Sequence, residues 1–359
     1  MGKTLSMKNL EQCPPKNHKK RLLFICKKRH IYGEKESGNK ILKSSGLYNS
    51  AKFVSDMLNE NGVESKIVDV VDNNSIDREV TLYKPTHVII EALWVVPEKF
   101  EVLTKLHPKV KWIIRLHSEI PFLSNEGVAM DWLYKYTKYK NVHIGANSTD
   151  AVSVLSNLFK KEKLYYLPNY YPITDPKCDR TDKNKHIVHI GCFGAIRPMK
   201  NQLNQAIAAI EFANTIGRSL HFHINTERIE GRGEPILNNI RALFKNNPKH
   251  KLVEYPWLDH KEFVKIVKKM DIGMQVSFSE TFNIVTADFV ANDVAVVVSP
   301  EVSWVSDFFK ADPNSNEDII KKLLFVWRSK ILSLKKLNLW GLKKYNKEST
   351  ENWLDYFKK

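Results

Sequence analysis

Short apolar runs alternate along nearly the whole chain with longer stretches whose apolar positions recur at intervals of three and four. The first pattern belongs to a strand buried on both faces and the second to a helix with one buried stripe. The alternation therefore predicts βαβ units and parallel sheets covered on both sides. In the first half the predicted strands are Arg21–Cys26, Lys66–Val70, His87–Ala92, Lys111–Leu116 and Val142–Ala146. Leu47, Ala51, Val54 and Leu58 mark one face of a helix from Ser45 to Asn61, stopped by Gly62, and further helices fall at about 97–106, 127–137 and 149–160.

The second half repeats the alternation. Strands are predicted at His186–Phe193, Ser219–Ile224, Leu252–Tyr255, Ile272–Val276 and Ala295–Ser299, with helices near 201–216, 235–245, 260–269, 282–291 and 316–332. Between the halves, Tyr171–Lys185 (YPITDPKCDRTDKNK) combines two prolines with charge and no apolar period, which reads as a linker. The expected organisation is a basic arm over 1–20, a first α/β domain over 21–172, a linker over 173–185, a second α/β domain over 186–332 and a terminal helix over 333–359. No internal repeat is visible. Two doubly wound halves of this kind hold ligand in the cleft between the carboxyl ends of their strands, so motifs at strand ends carry the most weight.

Composition narrows the class. With 359 residues, 43% hydrophobic and 27% charged, the chain is long enough for two domains and too apolar for disorder. No apolar run reaches the length of a membrane span and the N-terminus lacks the apolar core of a secretory signal, so the expected location is the cytosol. Cys13, Cys26, Cys178 and Cys192 show no metal-ligand spacing, and neither disulfides nor zinc are expected. The net charge of +16 is concentrated at the ends: residues 1–45 hold 12 basic against 3 acidic residues and 319–359 hold 11 against 3. Two basic ends on a near-neutral body suit a polyanionic partner; they also suit plain solvation in a chain with 45 lysines to 11 arginines.

Three strand-end segments carry candidate chemistry. In QVSFSETFNIVTADFV a strand leads through a short polar turn into a helix, whose first amides near Phe282 and Asn283 lack intrahelical acceptors and suit a diphosphate. Glu280 stands at its mouth and Asp288 two turns on, about 12 Å along the axis, too far to share a proton or a metal but suited to hydroxyls at two ends of one ligand. In GCFGAIRPMK, Gly194 permits close backbone approach, and Arg197 and Lys200 are phosphate ligands by chemistry or simply solvated cations. His117 closes the strand Lys111–Leu116, where an imidazole either donates to a substrate hydroxyl and moves a proton or only packs. His221 and His223 alternate on one strand, and with no third ligand at a useful spacing they read as structural, so no metal site is expected.

RLHSEIP, the Asn147-Ser148 of IGANS, LPN at Leu167–Asn169, GAIRPMKN and the Glu-x7-acid segment occur in an order and at strand ends that resemble the retaining GT-B glycosyltransferases of the family-four type, a virus-encoded member being one possibility. The resemblance implies two Rossmann-like domains facing across a cleft and a terminal helix that crosses back to the first. It makes Lys200 and Arg197 ligands of a donor diphosphate, Gly194 a point of close approach, Glu280 a binder of sugar hydroxyls, Phe282 and Asn283 providers of amides, and Asp288 an acceptor from the ribose. His117 would contact the transferred sugar. No metal or other cofactor is implied, the co-substrate being a nucleotide sugar such as a UDP-sugar. Three positions depart from the pattern: Asp288 replaces a glutamate, Asn283 a glycine, and Arg197 lies two residues later than the usual arginine.

The same resemblance puts both basic ends on the acceptor side, implying a phosphate-bearing acceptor and no obligate protein partner. Duplex DNA with hydroxylated bases, as in virus-encoded DNA glucosyltransferases, fits a lysine-rich surface that neutralises phosphates without reading sequence. A membrane glycan is the alternative, because Ile319–Tyr345 carries Trp327 and Trp340 on an apolar face opposite a basic one. A binding protein that has lost turnover is the remaining reading, against which stands the joint presence of Glu280, Lys200 and His117.

Overall fold

The computed structural model describes residues 20–28, 46–173, 186–329 and 335–358. The basic arm, Cys13, Cys178 and most of the expected linker lie outside the described residues. The first domain runs β1 (Arg21–Lys27), α1 (Gly46–Glu60), β2 (Glu64–Val70), α2 (Ser75–Tyr83), β3 (His87–Glu91), α3 (Lys99–Leu106), β4 (Lys111–Leu116), α4 (Ile120–Leu123), α5 (Ala129–Lys138), β5 (Val142–Ala146), α6 (Thr149–Leu155) and β6 (Leu164–Tyr166). Its six strands are all parallel, in the order β2-β1-β3-β4-β5-β6.

The second domain runs β7 (Ile187–Gly191), α7 (Gln202–Thr215), β8 (Ser219–Asn225), α8 (Glu234–Lys245), β9 (Lys251–Tyr255), α9 (His260–Val267), β10 (Ile272–Gln275), α10 (Ile284–Ala291), β11 (Ala295–Val298) and α11 (Asn316–Arg328), and the long α12 (Lys336–Lys358) follows. Its sheet is also parallel, ordered β11-β10-β7-β8-β9. Both sheets read as continuous apolar runs because helices cover both faces; Val88, Ile89 and Ile90 of β3 are fully buried, as are Val296, Val297 and Val298 of β11. The two-domain GT-B architecture expected from the sequence is what the chain adopts.

The periodicity missed three elements, one of them the four-residue α4. Residues of α2 bury only Ile76 and Val80, too few to register as a stripe, and β6 is three residues long at the sheet edge. The amphipathic stretch Ile319–Tyr345 is divided between α11 and α12, and its apolar face is largely the one docked on the protein. Trp327 packs edge-on against Phe212 under the Arg218 guanidinium, whereas Trp340 is 65% exposed.

After leaving the second domain, α12 crosses to the first. Trp353, Tyr356 and Phe357 join Leu22, Phe24, Ile89 and Leu167 in one buried cluster, and Trp353 Nε1 donates to the Pro168 carbonyl at 2.8 Å. Asn346 clasps Tyr171 by two hydrogen bonds, its amide donating to the Tyr171 carbonyl (2.6 Å) and its oxygen accepting from the Tyr171 N–H (3.1 Å). Tyr171, expected in the linker, is instead buried core.

Candidate functional site

Strand order in the second sheet reverses between β7 and β10, which are neighbours although two strands separate them in sequence. Helices leave such a pair on opposite faces, and a crevice opens at the carboxyl ends. The loop after β7 enters it through Gly194, whose φ of 122° lies where only glycine is unstrained, and whose N–H donates to Asn225 Oδ1 at the end of β8 (3.1 Å). A short 3₁₀ turn, Pro198–Lys200, follows. The loop after β10 brings Glu280 to the same place, and the two loops are tied by Phe278 N–H donating to the Met199 carbonyl (2.9 Å).

Across this crevice the Lys200 ammonium donates to the Glu280 carboxylate, both side chains being nearly buried. Burial pushes the lysine pKa down; Glu280 opposes the shift and the nearby Arg197 adds to it, leaving it below the usual lysine range. A lysine held this way gains from any second anion that reaches it.

The helix that Glu280 precedes starts later than the sequence suggests. Asn283 is its N-cap at φ 56°, the left-handed conformation that asparagine tolerates in place of glycine. Its Oδ1 accepts from Thr286 N–H (2.9 Å) and its Nδ2 donates to Gln275 Oε1 (3.0 Å). The amides of Phe282 and Asn283 therefore precede the first turn, and Ile284 and Val285 supply its leading N–H groups. Phe282 is an anchor rather than a ligand by its side chain: the ring lies against Trp304 and Tyr345, and its carbonyl accepts from Trp304 Nε1 (2.8 Å). Gly273 on β10 fixes how closely α10 approaches, since a Cβ there would stand 2.3 Å from the Phe289 ring.

Asp288 is buried and already engaged. Tyr171 O–H (2.7 Å) and His260 Nε2 (2.6 Å) both donate to its Oδ1, so a ribose would have to share or displace these donors. Burial disfavours charge on His260, but the hydrogen bond and charge of Asp288 outweigh it and raise its pKa. Beside them lies a cavity of about 60 Å³ lined by Gly46, Gly194, Asn225, Trp257, His260 and Asp288 among others, where the start of α1 meets the second domain. Arg197 is the predicted residue drawn furthest aside: its guanidinium pairs with Glu230 (3.3 Å) and lies over the Phe122 ring at 4.4 Å.

The first domain contributes His117, and two residues behind it that the sequence reading passed over. Glu91 ends β3 and Arg115 lies opposite it on β4, both fully buried. His117 donates from Nε2 to Glu91. Burial opposes ionisation of Glu91, yet Arg115 and His117 hold its carboxyl below the usual range; burial lowers the His117 pKa despite Glu91. Burial thus disfavours the cationic ring, and with Nε2 on Glu91 the atom left to meet a ligand is Nδ1. Asn147 Nδ2 donates to Thr281 Oγ1 (3.0 Å), linking the end of β5 to the residue after Glu280.

Among the described residues no helix is long and apolar enough to cross a membrane. No family model and no curated protein matches the chain. Solved structures do match in fold. The N-terminal domain of a Candida albicans trehalose-6-phosphate phosphatase superposes with a TM-score of 0.67 at 10% identity over 94% of this chain and 95% of that one. A UDP-forming α,α-trehalose-phosphate synthase from Burkholderia xenovorans gives 0.61 at 11% over 94% and 98%. Anabaena HepE, in complex with UDP and glucose, gives 0.60 at 11% over 93% and 99%.

Proposed function

We propose that the chain is a glycosyltransferase that moves a sugar from a nucleotide sugar, most simply a UDP-sugar, to an acceptor hydroxyl with retention and without a metal at the diphosphate. The observation that carries the reading is the buried Lys200–Glu280 pair at the strand-order switch point, beside the N-terminus of α10. Lys200 turns from Glu280 to the diphosphate, the leading amides of α10 meet the same anion, and Glu280 accepts from the sugar hydroxyls once its cation is shared. His117, oriented by Glu91, accepts from a hydroxyl of the transferred sugar. The leaving phosphate oxygen takes the acceptor proton as the C–O bond to it breaks and the new one forms on the same face. The cavity beside Asp288 marks where the ribose enters, with Asp288 exchanging a protein donor for it. The full-length fold neighbours, among them a UDP-forming synthase and a protein crystallised with UDP and glucose, support this donor class.

Burial raises the pKa of Glu119 and of Glu301; the Asp150 charge adds to both shifts and the Glu301 charge to that of Glu119. Glu301 also senses Glu280. An acidic mouth favours an acceptor whose reacting end is an uncharged hydroxyl, its phosphates held further out by the lysines of the chain's ends. Duplex DNA carrying hydroxylated bases remains the preferred acceptor. Exposed Trp340 favours a membrane glycan as the second reading. The test is mass spectrometry of hydroxymethylated duplex and of lipid-linked glycans after incubation with a panel of nucleotide sugars in excess EDTA. A mass gain of one sugar is expected; turnover that requires added magnesium or manganese would overturn the metal-free mechanism.

A further inference from the structure

We propose that His189, His221 and His223 form a binding site for one divalent transition-metal ion of the zinc type in the body of the second sheet. The sequence reading set aside His221 and His223 for want of a third ligand; β7 supplies it. Residues two apart on a strand share a face, which puts His221 and His223 together, and the parallel register pairs His189 with His221. Ligand nitrogens of the three rings all lie within 4.8 Å of one another. His189 Nδ1 and His223 Nε2 are already 3.0 Å apart. Two nitrogens on a tetrahedral zinc ion at the usual bond length stand roughly 3.3 Å apart, so small ring rotations complete the set.

The chemistry of the donors selects the ion. Three imidazoles and no carboxylate suit zinc, cobalt, nickel or copper and not magnesium or calcium. His223 Nδ1 bonds the Tyr255 hydroxyl (3.0 Å), and the two rings stack at 15°, which fixes the imidazole with Nε2 toward the trio. His189 and His221 are partly exposed, leaving a path and a fourth position for water. The Lys251 charge opposite His221 on β9 repels the ion and lowers affinity. Joining β7 to β8 would brace the strand that leads into the Gly194–Lys200 loop. The site does not depend on the proposed glycosyl transfer.

The test is titration of the chelator-stripped full chain with Zn²⁺ alone by calorimetry, together with the visible spectrum of the Co²⁺-loaded chain. One ion per chain and the intense absorption of four-coordinate cobalt are expected. His189→Ala and His221→Ala should each weaken binding at least about 100-fold, while His107→Ala in the first domain leaves it unchanged. Should the alanine variants misfold, His189→Gln and His221→Gln keep the ring volume closer and a polar end, and their folding is checked by circular dichroism. Absence of binding, a six-coordinate cobalt spectrum, or unchanged affinity in the folded His189 and His221 variants would each overturn the proposal.

Discussion

Glu91 and Arg115 stand opposite each other on β3 and β4 and form a fully buried ion pair at 3.1 Å. The guanidinium also donates to the Leu167 and Pro168 carbonyls, both at 2.9 Å, and to Asn169 Oδ1 at 2.6 Å, so one side chain brackets the sheet to the crossing segment. Removing it leaves a fully buried carboxylate with His117 as its remaining side-chain partner. Arg115→Met should cost about 3–5 kcal/mol in urea unfolding; a loss under about 1 kcal/mol would show that Glu91 simply takes a proton. Arg115→Lys should recover little, because an ammonium cannot reach all four partners.

Glu280→Ala should lower transfer by at least about 100-fold, near 2.7 kcal/mol, with the fold intact by circular dichroism. Affinity for free nucleoside diphosphate should hold or rise, since a carboxylate that competes for Lys200 is gone. Turnover at the unmutated rate would remove Glu280 from the site.

Lys200→Ala should weaken nucleoside diphosphate binding by roughly 10- to 100-fold, the value of a charge-assisted bond. The matching nucleoside, lacking phosphates, should bind as before. Calorimetry with both ligands separates the cases, and equal losses would mean that Lys200 acts through the fold.

His260 gives stability a pH dependence of definite sign. Its folded pKa is raised above the ordinary value of 6.5 by Asp288, so its contribution is complete below 6.5 and is lost as pH rises through the folded value. The stability gap between the protein and His260→Gln should therefore be wider at acid than at alkaline pH. Paired urea titrations on the two sides of neutrality measure it, and a gap that widens with pH would contradict the Asp288 contact.

If lysines of the chain's ends hold duplex phosphates, four to six of them should give a log–log salt slope of roughly −4 to −5, alike for unrelated sequences. Deleting residues 1–19 should make the slope shallower without altering donor binding. Binding to anionic vesicles that Trp340→Ala abolishes, with no duplex affinity, would favour the membrane acceptor.

What the sequence made legible follows from how far each signal is local. Apolar alternation identifies ten of the strands and most helices because the sheets are buried on both faces, and strand-end position singles out Lys200, Glu280 and His117. Glu91 and Arg115 were visible only as charges at the end of HVIIE and one residue before the end of KWIIRL, and nothing short of the parallel register shows that they meet. The links of Asp288 to Tyr171 and His260, of Arg197 to Phe122, and of His189 to the HFHIN pair each join segments with no common local pattern. Tertiary packing decides all of them.

The path of α12 also sets an order of events during synthesis. Leu22 and Phe24 are translated well before Trp353 and Phe357, yet all four share one buried cluster, so the α12 part of it arrives only after the whole second domain. The second domain completes its sheet with β11 and takes Leu342 and Tyr345 of α12 into its core. The first domain is thus sealed only after the second has been translated, and until then the part of its sheet face that α12 covers beside α1 offers an apolar surface to a nascent-chain chaperone.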